Sequence, residues 1–148
     1  MDWEIVSFEG IGAIRFGMTP NEVADVVGPP DRSRRGLRSG SFNEFRANRT
    51  PIVRYNENRV REIEAFYDLE SVTFQGIDIF KSDGLEVLRR LGKLNGDAKL
   101  SVGIVVFDKL GLTTGRLDQG PRTGHSVTAS ARGTWNGKLE DFEGISFT

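Results

Sequence analysis

Nine arginines (Arg32, Arg34, Arg35, Arg38, Arg46, Arg49, Arg54, Arg59 and Arg61) fall within residues 31–61, against three carboxylates, Asp31, Glu44 and Glu57. A guanidinium is a planar fork that meets a carboxylate or phosphate with two parallel hydrogen bonds, so an arginine cluster points to recognition of anions. Phe42, Phe45 and Tyr55 are interspersed, as a stacking platform for bases requires. Two ligand classes follow, an acidic protein surface and a nucleic-acid strand. The competing use is internal: the same arginines can pair with Glu62, Glu64, Asp68 and Glu70 and cover apolar surface with their stems. The residues assigned to partner binding are Arg32, Arg34, Arg35, Arg38, Arg46, Arg49, Tyr55 and Trp135.

Catalytic chemistry finds little material. The single His125, between Gly124 and Ser126-Val127-Thr128, can act as a base, a metal ligand or an ordinary loop residue. With no cysteine in the chain, thiolate nucleophiles, thiolate metal sites and disulfides are excluded, and one histidine is too few for a transition-metal site. Serines and threonines are plentiful without the nucleophile-elbow spacing. Glu62 with Glu64, and Glu140 with Asp141, pair carboxylates without a calcium-loop pattern and read as solvated acids. Gly10, Gly12 and Gly17 lack the spacing of a phosphate-binding loop and serve a tight turn or bulge. The expectation is a protein without catalytic residues, metal or cofactor. Trp135, within Arg132-Gly133-Thr134-Trp135-Asn136-Gly137, is either a buried anchor or an exposed contact on a turn, where tryptophan concentrates binding energy.

The elements that must hold these residues are those of a globular chain. Apolar residues make up 37% and charged residues 28% of 148, with ten Phe and two Trp to anchor packing, which suits one ordinary core and excludes wholesale disorder. Twenty Lys and Arg nearly balance 21 Asp and Glu, so any charge-driven function is local. Met1-Asp2-Trp3-Glu4 lacks the basic and apolar regions of a signal peptide, and no apolar run reaches membrane-spanning length. A cytoplasmic protein that avoids membranes is expected.

Thr19-Pro20-Asn21-Glu22 reads as a helix start with a capping box and proline in the first turn. Val23, Val26 and Val27 share a face, and Gly28-Pro29-Pro30 stops the helix. A second helix begins near Ser82-Asp83, carries Leu85, Leu88 and Leu91, and stops at Gly92. An offset of 64 sets Gly12, Phe16, Glu22, Val23, Val27 and Gly28 against Gly76, Phe80, Glu86, Val87, Leu91 and Gly92. Further on, Ile52-Val53-Arg54-Tyr55-Asn56 matches Ile104-Val105-Val106-Phe107-Asp108 at an offset of 52, and both precede a second strand-like stretch, indicating hairpins. Remaining strands are expected at 3–8, 11–16, 72–74, 126–131 and 142–147.

The spacing therefore predicts an α+β chain of two tandem helix-plus-antiparallel-sheet units, about 9–70 and about 73–147, within one compact domain spanning 1–148. Few short helices pack on mainly antiparallel sheet. The first unit carries about twelve extra residues, assigned to a mobile Pro/Arg-rich insertion at 29–40; the alternative is an extra strand at 41–47.

The run Ile14-Arg15-Phe16-Gly17-Met18-Thr19-Pro20-Asn21-Glu22-Val23, followed by Val27-Gly28-Pro29-Pro30, resembles the helix entry and exit of two families, the small outer-membrane-assembly lipoproteins and the tandem-repeat β-lactamase-inhibitor proteins. The second unit replaces the entry with Phe80-Lys81-Ser82-Asp83-Gly84 and lacks the proline pair. The resemblance implies a short helix on an antiparallel sheet and non-catalytic protein recognition by the sheet surface and loops. The chain has no cysteine for lipidation or disulfides and is expected to carry no leader, in which it departs from exported members. Together these point to a protein-binding module of the inhibitor or immunity type with an acidic partner; a nucleic-acid-binding protein using residues 31–61 is the alternative.

Overall fold

The first helix, α1 (Pro20–Val27), starts where its cap residues require. The Thr19 hydroxyl accepts from the Glu22 amide at 3.3 Å and the Glu22 carboxylate accepts from the Thr19 amide at 3.0 Å, so two donors orphaned by the helix start are satisfied reciprocally. Gly28, at φ 85°, ends it by donating to the Ala24 carbonyl. Only Val23 of its valines is fully buried; Val27 is half-buried and Val26 is exposed, so the buried stripe is narrower than the sequence spacing predicts. The second helix, α2 (Gly84–Asn95), is capped by the Asp83 carboxylate and buries Val87, Leu88, Leu91 and Asn95. It does not stop at Gly92 but runs a further turn to Gly96. Gly92 lies inside the helix, where the Phe147 ring stands 4.0 Å from the position a Cβ would take, an ordinary van der Waals distance. Leu85, expected on the buried face, is exposed, and Val87 takes its place.

The computed structural model describes residues 2–47 and 49–147. Around the helices run β1 (Trp3–Val6), β2 (Gly10–Ile11), β3 (Ile14–Arg15), β4 (Arg32–Arg35), β5 (Ser41–Phe45), β6 (Ile52–Asn56) and β7 (Arg59–Phe66). They are followed by β8 (Val72–Phe74), β9 (Ile77–Asp78), β10 (Ala98–Ser101), β11 (Ile104–Phe107), β12 (Leu112–Gly115), β13 (Ser126–Ser130) and β14 (Glu143–Ile145). The expected strand at 11–16 is a tight hairpin of β2 and β3. Gly12 turns it at φ 58°, where a Cβ would press on the Trp3 ring at 2.9 Å.

Two mostly antiparallel sheets result, which makes the chain α+β. The smaller has the order β3-β2-β1-β8-β9, with β1 and β8 parallel. The larger has the order β14-β10-β11-β12-β13-β7-β6-β5-β4 and is antiparallel in every described pair. The meanders β5-β6-β7 and β10-β11-β12 lie on either side of β13. Register carries one apolar row across five strands, Val53, Ile63, Ala129, Leu112 and Phe107, all buried. This row joins Ile5, Ile11, Val23 and Leu88 in one cluster reaching both sheets and both helices, each full-size aliphatic contributing about 1.5–3 kcal/mol on burial.

Within residues 29–40, expected to be a mobile loop, Arg32–Arg35 form a strand. Arg32–Arg35 pair in register with Phe42–Phe45 of β5, so the segment is the outer half of a hairpin. An edge strand wetted on both faces needs no apolar alternation, which is why Arg-Ser-Arg-Arg can form one.

Candidate functional site

Strand alternation sorts the arginines into exposed and internal sets. Glu44 pairs with Val53 and Val53 with Ile63 on the core face. Arg34, Asn43, Arg54 and Glu62 are therefore aligned on the opposite, outer face. Arg54 forms ion pairs there with Glu62 and Glu64, and Arg59 reaches Glu22 and the Gly17 carbonyl. Arg61 donates to the Arg132 carbonyl at 3.4 Å. These three are engaged within the protein.

Arg46 and Tyr55 do not belong to an exposed surface. Arg46 is 9% exposed, Glu44 5% and Tyr55 2%. The Glu44 carboxylate accepts from the Tyr55 hydroxyl at 2.6 Å and from Arg46 Nη2 at 3.1 Å, and Arg46 Nε donates to the Gly28 carbonyl at 2.9 Å. The network bolts the end of α1 to β5 and β6. Burial, then the hydrogen bond to Glu44 and its negative charge, pushes the Tyr55 hydroxyl well above the ordinary tyrosine range, since each disfavours the phenolate. Tyr55 also stacks on Phe42, with ring centroids 4.6 Å apart. Of the three interspersed aromatics, that pair faces inward and Phe45 lies beneath Arg32, whose Cζ is 4.6 Å from the ring centroid.

What the fold brings together in the open is the hairpin itself. Arg32, Arg34, Arg35 and Arg38 are exposed, and among the described residues none forms an ion pair. Asp31, next to Arg32 in sequence, accepts from the Ala47 amide instead. Arg32 and Arg34 project on the outer face and Arg35 on the other. Between Arg35 and Arg38 the tip carries Leu37, whose relative exposure of 108% makes it an apolar side chain standing in solvent. The tip separates two clefts. One, of about 820 Å³, runs from Ser33 to Phe42 beside Glu57 and Asn58. The other, of about 570 Å³, has Asn43, Arg54 and Glu62 as its floor and Arg38, Thr134 and Lys138 at its walls.

Arg49 is exposed in the turn after β5, at the end away from the tip. Trp135 is half-buried and packs edge-on to Phe142 at 5.9 Å, and its indole nitrogen is buried with no partner among the described residues. It is a packing residue whose neighbours Thr134 and Lys138, rather than the indole, face the hairpin cleft. His125 Nε2 lies 2.8 Å from the Gln119 carbonyl, a loop contact. Leu37 was not singled out from the sequence, although a lone leucine in a run of Arg, Ser and Gly is a legible signal.

Among the described residues no three His, Cys, Asp or Glu side chains form a group able to hold a metal ion, and no helix is long and apolar enough to cross a membrane. Comparison with models of protein families, with curated proteins and with solved structures finds no match.

Proposed function

We propose that this protein is a non-enzymatic, cytoplasmic binding module of the inhibitor or immunity type, which captures an acidic surface of a partner protein through the β4–β5 hairpin. The observation that carries the reading is the division of labour among the arginines. Arg46, Arg54 and Arg59 meet internal carboxylates, whereas Arg32, Arg34, Arg35 and Arg38 stand exposed without one among the described residues. Arginine is among the residues in which interface hot spots are enriched, and the exposed Leu37 adds an apolar contact among four of them. A protein partner is favoured over nucleic acid because Phe42 and Tyr55 are stacked on each other and leave no aromatic pair free for bases.

The scaffold is read as two tandem units. The helix starts at Pro20 and Gly84 agree with the offset of 64, and each helix leads into a three-stranded meander beside β13. The hairpin strand β4 then marks where the first unit departs from the second.

The test is affinity purification from the native host with the wild-type chain and with Arg34→Glu/Arg35→Glu. The expected result is one main partner, acidic at its contact surface, lost from the variant. Unchanged capture of that partner by the variant overturns the assigned surface.

A further inference from the structure

The β4 edge carries a hydrogen-bonding pattern as well as charge. Gly36 donates to the Ser41 carbonyl at 2.9 Å, while the Ser41 amide turns to the Arg38 carbonyl at 3.1 Å, so Gly36 and Ser41 stand at a bonded position of the antiparallel ladder with one of its two bonds made. Bonded and non-bonded pairs alternate along such a ladder. Arg34 with Asn43 and Arg32 with Phe45 are therefore the bonded pairs, whereas Ser33 opposite Glu44 and Arg35 opposite Phe42 are not. The amides and carbonyls of Ser33 and Arg35 consequently point away from β5, into the open edge of the nine-stranded sheet. A further strand laid along that edge would find two residues' worth of donors and acceptors that are unpaired among the described residues.

We propose that β4 takes up an extended acidic segment of the partner by antiparallel strand addition, extending the sheet by one strand. The inference rests on the acidic-partner reading above and names how that partner is held. Antiparallel addition continues the alternation of the whole sheet. It makes Ser33 and Arg35 the bonded positions and Arg32 and Arg34 the non-bonded ones, where facing side chains approach most closely. An acidic residue at every second position of the incoming strand thus meets Arg32 and Arg34 on the outer face, and opposite charges directly across a ladder stabilise it. Backbone bonds supply affinity and the alternate side chains supply selection.

Charge also decides against the other occupant of an open edge, a second copy of the same strand. Two β4 edges would bring Arg32, Arg34 and Arg35 of one copy against those of the other, and like charges facing across a ladder are destabilising.

The experiment uses a peptide alternating Glu with Thr, a control of the same composition with all Glu in one block, and a single-stranded RNA oligomer. Binding to the full chain is followed by fluorescence anisotropy. Ser33→Pro removes an outward amide that β5 does not use, and proline is tolerated on an edge strand whose N–H faces solvent. The expected result is alternating peptide bound about tenfold more tightly than the block control. That advantage should disappear in Ser33→Pro, and also when the Thr amides of the peptide are N-methylated. N-methylation of the Glu amides, which point away from β4, should leave binding intact. The methylated peptides decide the matter on the wild-type chain if Ser33→Pro fails to fold.

Binding insensitive to Ser33→Pro and to Thr methylation, but abolished by Arg34→Glu/Arg35→Glu, would leave the acidic-partner reading standing and overturn strand addition. No preference for the alternating peptide, or tighter binding of the RNA, overturns it as well. So does self-association of the chain that Ser33→Pro abolishes, which would make the occupant a second copy.

Discussion

Glu44→Leu tests whether the buried network holds the hairpin in place. The substitution removes the one carboxylate shared by Tyr55 and Arg46, both almost fully buried. The guanidinium keeps only its bond to the Gly28 carbonyl, and its Nη1 already lacks a partner among the described residues. Breaking a buried ion pair by removing one member costs about 3–5 kcal/mol, and the stranded Tyr55 hydroxyl adds about 1–3 kcal/mol. A loss of about 4–8 kcal/mol consumes much of the roughly 5–15 kcal/mol that holds a domain folded. At about 2–4 °C per kcal/mol for a chain of this size, the melting temperature should fall by about 10 °C or more. Replacing the whole network with Arg46→Met and Tyr55→Phe beside Glu44→Leu removes the unpaired groups, so urea denaturation should place the triple variant within about 2 kcal/mol of wild type. The reasoning is refuted if Glu44→Leu costs less than about 1 kcal/mol, or if the triple variant is no better than the single one.

Three further outcomes follow from the same geometry. Tyr55 keeps its proton in the folded state above the ordinary value of 10.0, so its contribution is complete below that pH. Above it stability should decline by about 1.4 kcal/mol per pH unit, until the folded group itself ionises; urea midpoints measured across this range should lose that slope in Tyr55→Phe. Gly84→Ala would ordinarily favour a helix, but a Cβ there would lie 1.6 Å from the Leu117 carbonyl oxygen. The variant should be destabilised by about 3 kcal/mol in chemical denaturation, and a stability gain would contradict the close approach. Leu37→Ser should leave the unfolding free energy from urea denaturation within about 0.5 kcal/mol of wild type while weakening capture of the native partner about tenfold, as loss of a buried apolar contact does.

How far the sequence could be read depended on the range of the forces involved. Thr19, Pro20, Glu22 and Gly28 announce α1 because a cap is a contact between residues three or four apart. Gly92 misleads because a glycine inside a helix costs only about 1 kcal/mol, which the burial of Val87, Leu88, Leu91 and Asn95 on one face of α2 outweighs. The limit of range hid β4, whose arginines carry no apolar period and become a strand only by pairing with β5. It hid the fate of Arg46 and Tyr55 too, since their shared Glu44 is set by the register of β5 against β6. The charge cluster was visible at once; which of its members face solvent required the alternation of strands that are adjacent in the sheet. Neither the insertion of β13 between β7 and β12 nor the parallel pairing of β1 with β8 has a local signature.

That last pairing bears on how the chain is made. Trp3, Glu4 and Ile5 of β1 find their partners Val72, Thr73 and Phe74 some seventy residues downstream. A ribosome adding about 5–20 residues per second leaves them waiting roughly 3–14 s. During that interval β1, which carries Trp3 and Ile5 toward burial, is paired to β2 on one side and lacks β8 on the other. The nascent segment is thus an apolar strand with an open edge, the form of chain that holdase chaperones bind and that mispairs when synthesis stalls.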